Sequence, residues 1–315
     1  MRDKLHLALM GVLGPEFLLM VTLGEWSSAR ASVKGFHELG HHNWSIVHGF
    51  YADMGGFVLE GPGIKTPFPV DGRQLLFLIR KDYVRYPDLA REDISDRNKS
   101  DGLARCIAIF QALWMVVNSL VRVAQGLALT TIELTTLSFI LVFLITSFCW
   151  YFKPLGITTR VTLQLETHLD KILIENGHSL QETWYCTPLD FLHEEAHACE
   201  RFWRYYTCIT QRLHWPIFSR SVKTIPYNRI PSDRFLVLDF TAEILGAPII
   251  VSFGCIFMFA WNFSFPSAAE KVLWRIAIGR LVDGEVCHLR WEDRASYLNV
   301  CGIFIGLGIL VWTSR

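Results

Sequence analysis

Residues 132–152 read IELTTLSFILVFLITSFCWYF. The run carries one charged side chain, Glu133 at its start, and closes on Trp150, Tyr151 and Phe152. A helix that crosses a bilayer needs about 20 mostly apolar residues, and aromatic rings suit the headgroup level at its end. The stretch therefore predicts a membrane-spanning helix. Just upstream, 103–121 (LARCIAIFQALWMVVNSLV) is a second such run, joined to the first through RVAQGLALTT. The pair predicts a tight helical hairpin. Three further runs come near the required length, at 5–23, 243–263 and 297–312. The first has signal-peptide features, with Arg2 and Lys4 ahead of an apolar stretch and small residues at Ser27, Ser28 and Ala29. Pro15 and Glu16 interrupt that stretch, so an uncleaved helix is expected instead.

Composition agrees with this reading. The chain is 51% hydrophobic and only 19% charged, and its mean hydropathy is +0.28. Lysine plus arginine and aspartate plus glutamate both number 30. No basic run coincides with a nucleic-acid motif, so nucleic acid is not an expected partner. The cysteines form no C-x-x-C pair and several sit in apolar runs. They read as small apolar packers.

The expected fold is all-α: a multi-pass transmembrane helical bundle of about five spans, built as one unit over 1–315. Two long polar segments, 25–102 and 153–242, are expected as largely helical extramembrane loops. The hairpin puts both on one side. Arg97, Lys99, Arg105, Lys153, Arg160, Arg229 and Arg234 flank that side, against Arg122 alone in the hairpin. The positive-inside rule makes that side cytosolic. Arg2, Lys4 and the basic residues of 271–294 count the other way.

Ionisable groups at membrane depth are expensive, and each is a candidate for function. Glu16 follows Pro15 inside an apolar run. Gln111, Asn118, Arg122 and Gln125 recur at helical spacing and make one polar stripe. Glu133 and Glu243 open the third and fourth runs. Glu16, Asn118, Arg122 and Glu133 are the candidate catalytic set, with Arg122 pairing Glu133 or Glu16. The bland alternative is hydrogen bonding between helices.

Two histidine groups invite a metal reading. His37 and His41 stand four apart, with His42 and His48 close by and Glu38 as the one carboxylate at hand. His193-Glu194-Glu195-Ala196-His197 satisfies H-E-x-x-H, in which two histidines hold zinc and Glu194 would be the general base. A zinc site needs a third protein ligand, and only Glu243 or Asp239 offer themselves. The stretch TPLDFLHEEAHACERFWRYYTCITQRL reads as an amphipathic surface helix, so no metal is expected at His193 and His197. No cofactor is expected either, since P-loop, dinucleotide and G-x-S-x-G patterns are missing.

The blocks HGFYADMGGFVLE (48–60), ISDRNKSDGLARCIAIFQALWMVVNSLVRVAQGLALTTIELTTLSF (94–139), WYFKPLGI (150–157), TPLDF (187–191) and WNFSFPSAAEKVLWR (261–275) stand in order along the chain. Pro15-Glu16 belongs with them. In these blocks the chain resembles a large family of uncharacterised fungal multi-pass integral membrane proteins. The resemblance implies a membrane protein of fungal type and no particular activity. Where the family pattern has a histidine before Trp-Asn-Phe, this chain has Phe257.

Three functions follow as expectations. The first is a non-catalytic organising, sensing or interaction role, with the lipid bilayer as the main partner. The second is a membrane-embedded enzyme acting on an apolar lipid or isoprenoid, of the secondary-metabolism kind. The third is a zinc hydrolase at His193, Glu194 and His197.

Overall fold

A computed structural model describes residues 8, 11, 15–90, 94, 99–127, 129–154, 157, 159–178, 187–192, 230, 236, 239–258, 261, 267–269 and 271–276. Among them the chain is mostly helical. The helices are α1 (Pro15–Glu38), α2 (Ile46–Asp53), α3 (Gly72–Arg80), α4 (Lys99–Ala124), α5 (Thr131–Cys149), α6 (Leu169–Glu175) and α7 (Phe240–Met258). Three short strands are β1 (Phe57–Glu60), β2 (Phe68–Val70) and β3 (Val161–Gln164).

Helices α4 and α5 form a hairpin. Thr130 caps α5: its Oγ1 accepts from the Glu133 N–H at 3.2 Å, and Glu133 Oε2 accepts from the Thr130 N–H at 2.8 Å. This reciprocal capping box satisfies two donors that a helix start otherwise leaves open. Beyond it the apolar run continues without a breaker to Cys149. At the open end of the hairpin, Arg105 donates from Nη1 to the carbonyls of Trp150 and Tyr151, at 3.0 and 3.3 Å. That bond ties the base of α4 to the aromatic end of α5.

Two separate cores result. The first lies between α1, α5 and α7, where Leu19, Leu23, Val142, Cys149 and Phe253 are buried together. The second is a small α+β domain. It gathers Phe36 from the last turns of α1, Trp44, residues of α2 and α3, all three strands, α6 and Leu189. One helix, α1, serves both, because its 24 residues span about 36 Å at 1.5 Å per residue.

The sheet order is β2-β1-β3. β2 pairs antiparallel with β1, Phe57 opposite Val70 and Leu59 opposite Phe68. β3 pairs parallel with β1, Phe57 opposite Val161 and Leu59 opposite Leu163. Side chains alternate across a strand, so Phe57, Leu59, Phe68, Val70 and Leu163 all enter the core. Pro69 cannot donate to a ladder, and it stands on the edge strand, where that costs least. Parallel strands need a long crossover. Here the crossover contains the whole α4–α5 hairpin.

The helical majority agrees with the all-α expectation, and the sheet departs from it. The segments 25–102 and 153–242 were expected as largely helical loops, and their described residues include all three strands. Described parts of both, 25–90 with 159–178 and 187–192, combine into one domain through β1 and β3. The expected spans fare differently. Among the described residues, two helices are long and apolar enough to cross a membrane, Leu103–Ala124 and Thr131–Cys149. Five are not supported. The 5–23 run lies partly in α1, which continues to Glu38 instead of ending near Leu23. The 243–263 run corresponds to α7. The 297–312 run lies outside the described residues.

Candidate functional site

Four charged residues meet where the hairpin joins the domain. Glu25 is on α1, Asp53 ends α2, Asp71 precedes α3, and Lys153 follows α5. Lys153 Nζ lies 2.6 Å from Glu25 Oε2 and 4.2 Å from the centre of the Trp150 ring. Both side chains of the ion pair are largely buried, at 13% and 12% exposure. The pair joins α1 to the end of α5.

Asp71 is the N-cap of α3. Its Oδ1 accepts from the Gln74 N–H at 2.9 Å, while Gln74 Oε1 accepts from the Asp71 N–H at 3.2 Å. Gln74 Nε2 donates onward to Thr187 Oγ1 and the Leu189 carbonyl. Asp53 reaches the same helix start, its Oδ1 accepting from the Gly72 N–H at 2.9 Å. Its other oxygen, Oδ2, is shut off from solvent and has no hydrogen-bond partner among the described residues. α1 and α2 approach closely beside it. A Cβ on Gly49 would stand 2.8 Å from the Ala29 carbonyl oxygen and 2.7 Å from Ser32 Oγ.

Burial is the main force on Asp53, and the charge of Asp71 adds to it. The Gly72 N–H and the Ser28 hydroxyl favour the ionised form, and Glu25 opposes it. The carboxyl is pushed up from 3.8 to about 7. Desolvation and a neighbouring like charge both disfavour a carboxylate. The group can therefore hold a proton near neutral pH.

A pH dependence follows. Below about 4 Asp53 is protonated folded and unfolded, and above about 7 it is ionised in both. Between these values the folded state binds the proton more tightly, so stability falls as pH rises, at most about 1.4 kcal/mol per pH unit. Asp53→Asn keeps an acceptor for the Gly72 N–H and cannot ionise. Unfolding of the purified protein from pH 5 to 7 should show this slope in wild type and a flatter profile in Asp53→Asn. Equal slopes would remove Asp53 as the source.

The candidates read from the sequence are dispersed. Arg122 and Glu133 do meet, as a salt bridge closing the tip of the hairpin. Asn118, Gln111 and Gln125 are exposed along α4. Glu16 occupies the second position of α1, and Glu243 lies in the first turn of α7. The Asp239 N–H donates to Ser27 Oγ at 2.9 Å, linking the start of α7 to α1. The H-E-x-x-H residues, His193 through His197, lie outside the described residues.

The 37–48 histidines do not share a helix face, because α1 ends at Glu38. His37 Nε2 bonds the Trp44 carbonyl at 2.9 Å. His41 stacks on Tyr86 with ring centroids 3.9 Å apart. His48 joins Ser45 Oγ to the Leu89 carbonyl. Among the described residues no group of three or more His, Cys, Asp or Glu side chains is placed to hold a metal.

Reading from the sequence missed Glu25, Asp53, Asp71 and Lys153. A faint signal was present, since three of them border apolar or aromatic runs: VTLGE, IVHGFYAD and CWYFK.

The architecture is thus a small α+β domain carrying an apolar helical hairpin as an insertion in its sheet. Residues 25–194 match a family of unknown function, DUF8562. This is more than half of the chain, which belongs to that family. The match begins at Glu25 and includes the whole charge cluster and the hairpin, but not α7. No curated protein and no solved structure matches the chain.

Proposed function

We propose that the protein is a multi-pass integral membrane protein of fungal type, in which the helical part anchors the α+β domain and the role is organising, sensing or interaction, without catalysis. The observation that carries the membrane reading is the surface of α4. Phe110 is 69% exposed, Trp114 60% and Leu120 63%, with most of their helical neighbours alike. Such a contiguous apolar face is rare on a soluble monomer, and a bilayer is the phase that suits it. The resemblance of the sequence blocks to a family of fungal membrane proteins supports the same view. The basic side chains Arg105, Lys153 and Arg160 at the open end of the hairpin favour a cytosolic domain.

Extraction of cell membranes with alkaline carbonate tests the anchor. The protein should stay in the pellet and enter solution only with detergent. Recovery in the carbonate supernatant would end this reading.

A second reading, an enzyme acting on an apolar lipid or isoprenoid, is favoured by one observation. Asp53 is a closed-off carboxyl able to carry a proton at neutral pH. Metabolite profiles of a deletion strain separate the two readings. A product that disappears on deletion and returns with wild type but not with a stably expressed Asp53→Asn favours the enzyme. An unchanged profile favours the non-catalytic role.

A further inference from the structure

The exposed side of α4 is not uniformly apolar. Gln111, Asn118 and Gln125 stand seven residues apart, and Ile107, Trp114 and Val121 fall between them at alternating spacings of four and three. All six are exposed. This is a heptad seam with a carboxamide at each first position. α4 meets α5 on another face, where Ser119 is buried, while Arg122, one turn on from Asn118 and beside the seam, pairs with Glu133 at the hairpin tip. The seam therefore lies free of the α4–α5 contact.

This inference rests on the membrane reading above. Lipid chains offer no hydrogen bond, and a carboxamide left in them is costly. Whatever covers the seam must supply both a donor and an acceptor, repeated about every 10 Å along the helix. A second copy of this chain does so. All copies enter a membrane in one orientation, so a two-fold axis along the membrane normal sets α4 parallel to its counterpart. Equal residues then meet at equal depth. A carboxamide donates and accepts, which makes Gln111 complementary to Gln111 and Asn118 to Asn118. Ile107, Trp114 and Val121 fill the layers between. We propose that the α4 seam is a self-association surface on which two copies pair in parallel and in register.

Full-length protein labelled separately with donor and acceptor fluorophores, mixed in phosphatidylcholine vesicles, tests this. Energy transfer should exceed random proximity and fall when unlabelled protein is added. Gln111→Leu/Asn118→Leu should weaken association about tenfold, about 1.4 kcal/mol, because it removes the hydrogen bonds between the helices. Asn118→Gln should retain it, and Leu113→Ala/Leu120→Ala, off the seam, should have little effect. Thermal unfolding of each variant reports whether the fold is kept. Wild type monomeric at every protein-to-lipid ratio would overturn the proposal. So would a folded double leucine variant that associates as well as wild type, or a photo-crosslinker at position 118 that yields only intrachain products. Flotation of the same vesicles separates the two readings. Protein that does not float sinks both, and protein that floats as a monomer sinks only this one.

Discussion

Replacing Lys153 with methionine should destabilise the folded protein by about 3–5 kcal/mol, the usual loss when one partner of a buried ion pair is removed. Glu25 would remain buried without its cation, and its charge already acts on Asp53. The site would then hold Glu25, Asp53 and Asp71 and lose the positive charge 2.6 Å from Glu25. Methionine fills much of the lysine stem's volume, so loss of charge and not of packing dominates. Glu25→Gln/Lys153→Met should recover most of the loss, because replacing both charges removes the uncompensated one. Denaturant unfolding of detergent-solubilised protein checks this. A single variant as stable as wild type would mean that the pair lies open to water in solution.

Trp44→Ala should cost a comparable amount, about 3–5 kcal/mol, through the cavity it leaves. Trp44 is 1% exposed and is among the largest side chains in the domain core. Its ring lies 4.2 Å from that of Phe36 and 5.8 Å from that of Phe57, so it joins α1 to the central strand. Its Nε1 donates to Ser32 Oγ at 3.3 Å. The α2 backbone cannot easily collapse into the gap, since Gly49 already rests against Ala29. Trp44→Phe should lose less, because it retains an aromatic ring and forfeits the hydrogen bond. The readout is again unfolding, with near-UV circular dichroism for packing. Equal losses for Ala and Phe would assign the effect to the hydrogen bond instead of the cavity.

The hairpin was the most legible part of the chain. Runs at 103–121 and 132–152 correspond to helices Lys99–Ala124 and Thr131–Cys149, because long uninterrupted hydropathy is a local property. The Arg122–Glu133 pair was legible for the same reason, since a tight turn fixes which ends meet. The sheet was not. Strands of three or four residues show only two alternations each, and β1 and β3 find each other across 100 residues of intervening chain. The charge cluster was hidden in another way. Glu25, Asp53 and Lys153 each look like an ordinary polar residue at the edge of an apolar run, and only tertiary packing buries them together. The full length of α1 was obscured by its composition, which changes from apolar to mixed as it passes from one core to the other.

The parallel pairing of β1 with β3 has a consequence for biosynthesis. During translation β1 leaves the ribosome roughly a hundred residues ahead of its partner. Until residues 161–164 arrive, one side of β1 has unpaired backbone groups and invites pairing with other chains. The apolar hairpin emerges within that same interval. The domain can close only after the hairpin has been made, so hairpin synthesis and domain closure occur in a fixed order. A nascent chain stalled in the hairpin exposes both a sticky strand edge and an apolar surface, two features that attract chaperones.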